Sequence, residues 1–183
     1  MLWSGVAFAA CALAVLSGSY VHRRRAAARP LARLSRASQR MLSDVLLPHT
    51  ESVHIHVGHL LLAPTGIMVV DLRDVAGHIF GSEAMQEWTV LDRSRRSTFP
   101  NPLPRLYDRI AAVRRIVPDL PVKGLVVFTD RAVFSKGFPP YVRLLDDLLR
   151  ELEAGATAGD GVAVGVLDAA WTALAAETQP AVD

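Results

Sequence analysis

The 183-residue sequence holds one cysteine, Cys11. A disulfide framework and a cysteine-based zinc site are therefore excluded. No serine stands with a histidine and an aspartate in a hydrolase motif. No glycine-rich loop joins a strand to a helix, because Gly155, Gly159 and Gly161 follow a helical pattern instead. Acyl transfer and nucleotide hydrolysis are thus unsupported. No internal repeat occurs. Residues 1–40 contain no acid, and residues 2–21 contain neither charge nor proline.

What is present is apolar and unevenly charged. Hydrophobic residues make up 51% of the chain, which excludes disorder throughout. A mean hydropathy of +0.26 is high for a purely soluble protein. The length suits one ordinary domain with additions. The net charge of +2 hides an asymmetry. Seven arginines (23, 24, 25, 29, 33, 36 and 40) give residues 1–40 a charge of +7, and the remainder carries −5. The pI near 9.0 therefore describes a basic tail on a mildly acidic domain. An argument for nucleic acid from pI alone fails.

Residues 1–21 read as a transmembrane anchor. About twenty apolar-biased residues span the ~30 Å hydrocarbon core. Trp3 and Tyr20 lie near the two interfaces, and Cys11 is a small apolar filler within the span. His22-Arg23-Arg24-Arg25 ends it. Charge after the apolar run, rather than before it, indicates a retained anchor with its C-terminal side in the cytoplasm. The expectation is a single-pass inner-membrane protein. No Gly-x-x-x-Gly face predicts helix pairing. The basic juxtamembrane segment, 22–40, either attracts anionic lipid, at about 1 kcal/mol per basic residue, or only fixes orientation.

Residues 41–154 read as the domain, and 155–183 as a linker, short strand and C-terminal helix. Met41–Leu47 closes a helix before Pro48. Ser52–Val57 and His59–Ala63 are strands either side of Gly58. Pro64-Thr65-Gly66 is a turn, and Ile67–Leu72 an apolar strand. Short strands follow at Ile79–Gly81 and Trp88–Leu91, then an arginine-rich loop, Asp92–Pro100. Pro102–Val117 is helical, with Leu103, Leu106, Ile110, Val113 and Val117 at three- and four-residue spacing. Leu125–Thr129 is a buried strand and Pro140–Leu152 a helix. Val162–Leu167 is a strand candidate, and Ala169–Thr178 a last helix. This order predicts an α/β fold with a mixed sheet.

Asp71 and Arg73 share a face at the end of the apolar strand. A carboxylate there can hold Mg²⁺ while the cation stabilises a phosphate, as in metal-dependent phosphodiesterases. An acid and a base capping a strand is the plainer reading.

A resemblance covers about residues 42–153. Gly58-His59, the turn ending in Gly66, the strand ending Asp71-Leu72-Arg73, and Gly77 resemble the NERD (nuclease-related) family. So do Trp88, Asn101-Pro102-Leu103 before a helix, and Val126-Val127-Phe128-Thr129, in the same order. The resemblance implies a restriction-endonuclease-like PD-(D/E)xK fold, a mixed sheet flanked by helices with metal ligands on the meander. It also implies Mg²⁺ if the protein is active.

The departures from the family pattern are chemical. The family's metal-binding Asp falls on Gly58, and its Glu-x-Lys on Asp71 and Arg73. The family's Gln after Asn-Pro falls near Arg105. Arginine stays charged and cannot act as a base. The sequence therefore predicts a degenerate metal site in a binding or scaffold module. The alternative is an active nuclease on DNA or RNA, with Asp71 and Glu51 as metal ligands and Arg73 on the phosphate. His54, His56 and His59 could hold Zn²⁺ or Mn²⁺ with Asp71, or be partly exposed strand residues.

Nucleic acid, if bound, would meet the stretch 93–115, which has seven arginines and one acid, Asp108. Arg93, Arg95 and Arg96 could grip phosphates, and Arg105 and Arg109 lie four apart on one helix face. A solvated face, or one turned to acidic lipid, is the alternative. Trp88 and Phe99 either stack on bases or belong to the core, and their strand context favours the core.

Overall fold

The computed structural model describes residues 29–48, 53–157 and 161–181. The expected anchor over 1–21 and the candidate ligand Glu51 lie outside these residues. No helix among the described residues is long and apolar enough to cross a membrane. Residues 29–37 are helical, and Leu34–Asp183 form one compact unit.

The unit is built on a six-stranded mixed sheet and a smaller four-stranded sheet. The large sheet contains β1 (Arg40–Pro48), β2 (His54–Ala63), β3 (Gly66–Arg73), β7 (Val122–Phe128), β9 (Val142–Leu144) and β10 (Gln179–Pro180), in the order β10-β1-β2-β3-β7-β9. Pairing is antiparallel from β10 to β3 and parallel from β3 to β9. The small sheet orders β6 (Arg95–Pro100), β5 (Glu87–Asp92), β4 (Gly77–Phe80) and β8 (Ala132–Val133). The expected α/β architecture with mixed sheets and flanking helices is present.

Helices α1 (Leu103–Ile116) and α3 (Val164–Ala176) cover one face of the large sheet, and α2 (Leu145–Thr157) the other. Pro104 in the first turn of α1 presets a helical φ, and Arg114 and Arg115 in its last turn oppose the negative end of the helix dipole. Leu103, Leu106, Ile110 and Val113 are buried against Val69, Val122 and Val126 of the sheet. Each such side chain contributes on the order of 2 kcal/mol. The small sheet adds Ile79 and Trp88 to the same core.

Five local expectations are corrected. Met41–Leu47 lies in strand β1, paired with β2 from Arg40↔Leu62 to Pro48↔His54. Cross-strand partners decide a short apolar run that local pattern leaves ambiguous. Asp92–Pro100 is no loop. It returns as β6 through a two-residue turn in which Arg93 has φ 53°, and Trp88 faces Phe99. Pro140 begins no helix. The chain makes the short strand β9 and then α2, whose first turn carries Asp146 and Asp147. Val162–Leu167 is no strand. The alanine-rich stretch from Val164 is α3, and Leu167, Trp171 and Leu174 enter the core. The two strands expected either side of Gly58 are one strand, β2.

The side-chain alternation of β1 and β2 slips by one at a shared level. Leu42 and Leu60 face the α1 core, as do Val45 and Val57 three residues away. Between them lie Asp44, at φ 52°, and Gly58.

Gly66 has φ 133°, and a Cβ there would lie 2.2 Å from the Pro121 carbonyl oxygen. Gly66→Ala is expected to lower stability by about 1–3 kcal/mol, read as a drop in the urea midpoint at unchanged slope.

Candidate functional site

The Asp71 carboxylate sits where β3 meets α1. Two arginines hold it. Arg73 donates to Oδ2 from Nη2 at 2.9 Å and from Nε at 3.3 Å. Arg109 of α1 approaches the same oxygen with Nη1 at 3.2 Å, while its Nε donates to the His56 carbonyl at 2.8 Å. Arg109 thus ties α1 to β2 and β3 together. The Asp71 side chain is 15% exposed and that of Arg109 13%. At this depth charge-assisted hydrogen bonds outweigh ordinary surface pairs. Arg73 also lies over the Phe99 ring, 5.5 Å from its centroid, which links the site to β6.

Gly58 is the next residue of β2 beyond the pair His59↔Val70, and Asp71 the next residue of β3. Gly58 adds no donor beside the carboxylate, and Arg109 bridges the two strands at this level. A Cβ on Gly58 would meet Val70 O at 3.6 Å, an ordinary contact.

The three histidines are placed separately. His54 is exposed. His56 Nε2 lies 3.4 Å from Asp44 Oδ1. His59 Nδ1 is hydrogen-bonded to Ser43 Oγ at 3.1 Å. Among the described residues no three His, Cys, Asp or Glu side chains form a group that could hold a metal ion.

A second carboxylate escaped the sequence reading. Asp74 Oδ1 accepts from buried Thr129 Oγ1 at 2.7 Å and from Arg131 Nε at 3.0 Å. Burial works to raise its carboxyl, but the hydrogen bonds from Arg131 and Thr129 outweigh it and hold the group below its ordinary range. No local motif marks this trio, because its members are brought together by the parallel pairing of β3 and β7.

The family-motif residues Asn101 and Pro102 start α1. Asn101 is buried, and its Nδ2 donates to the carbonyls of Met85 at 2.8 Å and Glu83 at 3.0 Å. Its Oδ1 accepts from the Leu103 N–H at 3.0 Å. One side chain therefore takes the N–H of the first helical residue and pins the loop before β5. Trp88 is fully buried, 6.3 Å from the Phe128 ring and stacked on it. Phe99 lies half-buried beneath Arg73. Neither ring stands free for a base.

A family model, the nuclease-related domain (NERD), matches residues 19–129. The chain belongs to the NERD family. The matched span takes in the meander, Asp71, α1 and β7. An uncharacterized protein of Bacillus anthracis is 29% identical over 101 residues, covering 55% of this chain and 48% of that protein. The chain thus spans about half the length of that relative. No solved structure matches.

Within the NERD domain the expected phosphate-gripping arginines divide. Arg93, Arg95 and Arg96 are exposed on the β5–β6 hairpin, and Arg105 is exposed on α1. Arg109 is turned inward to Asp71 rather than outward beside Arg105.

The His59 imidazole lies below its ordinary value of 6.5, because burial disfavours the cation more than Asp44 and Asp71 favour it. Neutral His59 therefore contributes stability that is complete above the unfolded value and lost as pH falls through the folded one. The thermal midpoint should drop as pH falls below the ordinary value of 6.5, and His59→Gln should flatten that drop.

Proposed function

We propose that this NERD protein is a membrane-anchored, non-catalytic binding or scaffold module with a degenerate metal site. The observation that carries the reading is the Asp71 carboxylate held by Arg73 and Arg109, beside a glycine. Mg²⁺ takes oxygen ligands in near-octahedral geometry and favours a site of net negative charge. Here one carboxylate already faces two guanidiniums, and Gly58 offers no donor. The donor set does not fit the ion. Arg109 supplies the positive charge that a cation would bring, and it leaves no ligand position for a water to be activated.

The restriction-endonuclease-like scaffold then serves to present surfaces. The exposed arginines of the β5–β6 hairpin are the part best suited to phosphate, whether of nucleic acid or of an anionic membrane. The apolar run at 2–21 and the basic segment after it favour attachment to the inner membrane with the domain on the cytoplasmic side. The second reading is a Mg²⁺-dependent nuclease. It needs a further ligand, Glu51 or a histidine, beside Asp71.

The full-length protein is expected to leave plasmid, single-stranded DNA and RNA intact in Mg²⁺ or Mn²⁺. Cleavage that disappears in Asp71→Ala would establish the nuclease reading instead. Mg²⁺ should not move the thermal midpoint of the wild-type chain. The double variant Gly58→Asp with Arg109→Ala restores an acid where the backbone has room, and should gain a Mg²⁺-dependent rise of a few degrees.

The anchor has its own check. The chain should stay with membranes through high-salt and alkaline washes. Release by salt alone would leave only surface attraction through the basic segment.

A further inference from the structure

Strand β7 is fully paired on one side only. β3 runs beside it from Ile67↔Val122 to Arg73↔Phe128. On the other side β9 reaches only Val126, Val127 and Phe128. The residues before β9 are Pro139, Pro140 and Tyr141, the last at φ 60°. A proline has no N–H for a ladder, so the β9 strand cannot extend backwards along β7.

The open edge presents main-chain groups. Successive residues of a strand turn their N–H and C=O to opposite edges. Val126 donates to the Tyr141 carbonyl at 2.8 Å, so Gly124 and Val122 face the same way. Arg114 Nη2 already donates to the Val122 carbonyl at 3.2 Å. Gly124 has no ladder partner on this edge among the described residues. Edges of this kind take up a further strand.

A groove of about 640 Å³ follows this stretch, between the two helix layers. Its α1 wall carries Ile110 and Ala111, with the Tyr107 ring edge-on to Tyr141 at 5.5 Å. Its other wall is basic. Lys123 points to the α2 side, where its Nζ lies 3.9 Å from Glu151. Arg143, opposite Val127 in the ladder, shares that face. Arg114, Lys123 and Arg143 thus line the groove together with one acid, Glu151.

We propose that the β7 edge docks an extended, acidic segment of a partner protein. The segment adds a strand outside Val122–Leu125. Its side chains alternate, acids towards Lys123 and Arg143, apolar groups towards Ile110 and Ala111. Charge selects the occupant. A second copy pairing through the same edge would set Lys123 and Arg143 against their own counterparts, which is unfavourable. A phosphate backbone carries no donor for the Gly124 carbonyl, whereas a peptide strand supplies both donor and acceptor. The docking edge is separate from Asp71 and does not rest on how that site is read.

The test uses the full-length protein in detergent and a labelled, end-capped octapeptide of four Glu-Val repeats, followed by fluorescence anisotropy. Saturable binding is expected, with none for the matching Lys-Val octapeptide. Charge reversal of the exposed pair, Lys123→Glu with Arg143→Glu, should weaken binding at least about tenfold. The same peptide methylated at alternate backbone nitrogens should also lose about tenfold or more. That comparison leaves the protein untouched, so it does not depend on the variant's fold. Absence of saturable binding overturns the proposal. So does undiminished binding of the methylated peptide, which would reduce the groove to a charge patch. A dimer of the chain dissolved by the peptide would assign the edge to a second copy instead, and competition by single-stranded oligonucleotide would assign it to nucleic acid.

Discussion

The ion pair between Arg109 and Asp71 is the constraint on which the centre of this fold depends. Arg109 lies on the helix whose apolar stripe fills the core, and Asp71 at the end of the central strand. A carboxylate this far from solvent needs partners, because burying an unpaired charge costs several kcal/mol. Arg73 comes from the same strand as Asp71 and reaches across to Phe99 of β6, so it ties the carboxylate to the small sheet and not to the helix. Arg109 comes from the opposite layer and also takes the His56 carbonyl, so it sets where α1 sits along the sheet. Hydrophobic packing holds the helix against the sheet without choosing its position, whereas this two-ended contact chooses it.

The same contact bears on chemistry. In a metal-dependent phosphodiesterase a cation between carboxylates neutralises developing charge. Here a fixed guanidinium neutralises one carboxylate, and the strand beside it carries glycine. Asn101 fills a comparable structural role just before α1, where it takes the Leu103 N–H and holds the preceding loop. A family-motif residue can therefore hold its place for folding reasons alone.

Outside this centre the molecule presents charge in separate places. The β5–β6 hairpin exposes Arg93, Arg95 and Arg96, and the open edge of β7 gathers Arg114, Lys123 and Arg143. The first is a convex turn and the second a concave groove with main-chain groups along its floor. Their shapes suit different ligands, phosphates on the hairpin and a strand in the groove.

Much of this was legible in the residues. The spacing of Leu103, Leu106, Ile110 and Val113 announced α1, and Pro64-Thr65-Gly66 announced the turn into β3. The ordered motifs around Gly58, Asp71 and Asn101 announced the family. Local pattern misread Met41–Leu47 and Val162–Leu167, because short apolar runs fit helix and strand alike until a partner is known. It placed Asp71 and Arg73 on one face but left Arg109 pointing outward, since nothing local distinguishes an arginine that grips a phosphate from one that grips a carboxylate. The sequence by itself determined the charge asymmetry, the missing acid at Gly58, the absence of thiol chemistry and the principal helix, for these are properties of composition and period. Only the tertiary structure decided which cation meets Asp71, that Thr129 and Arg131 converge on Asp74, and that β7 keeps an open edge. Each of these joins residues distant along the chain, and non-local pairing has no signature in a single strand or helix.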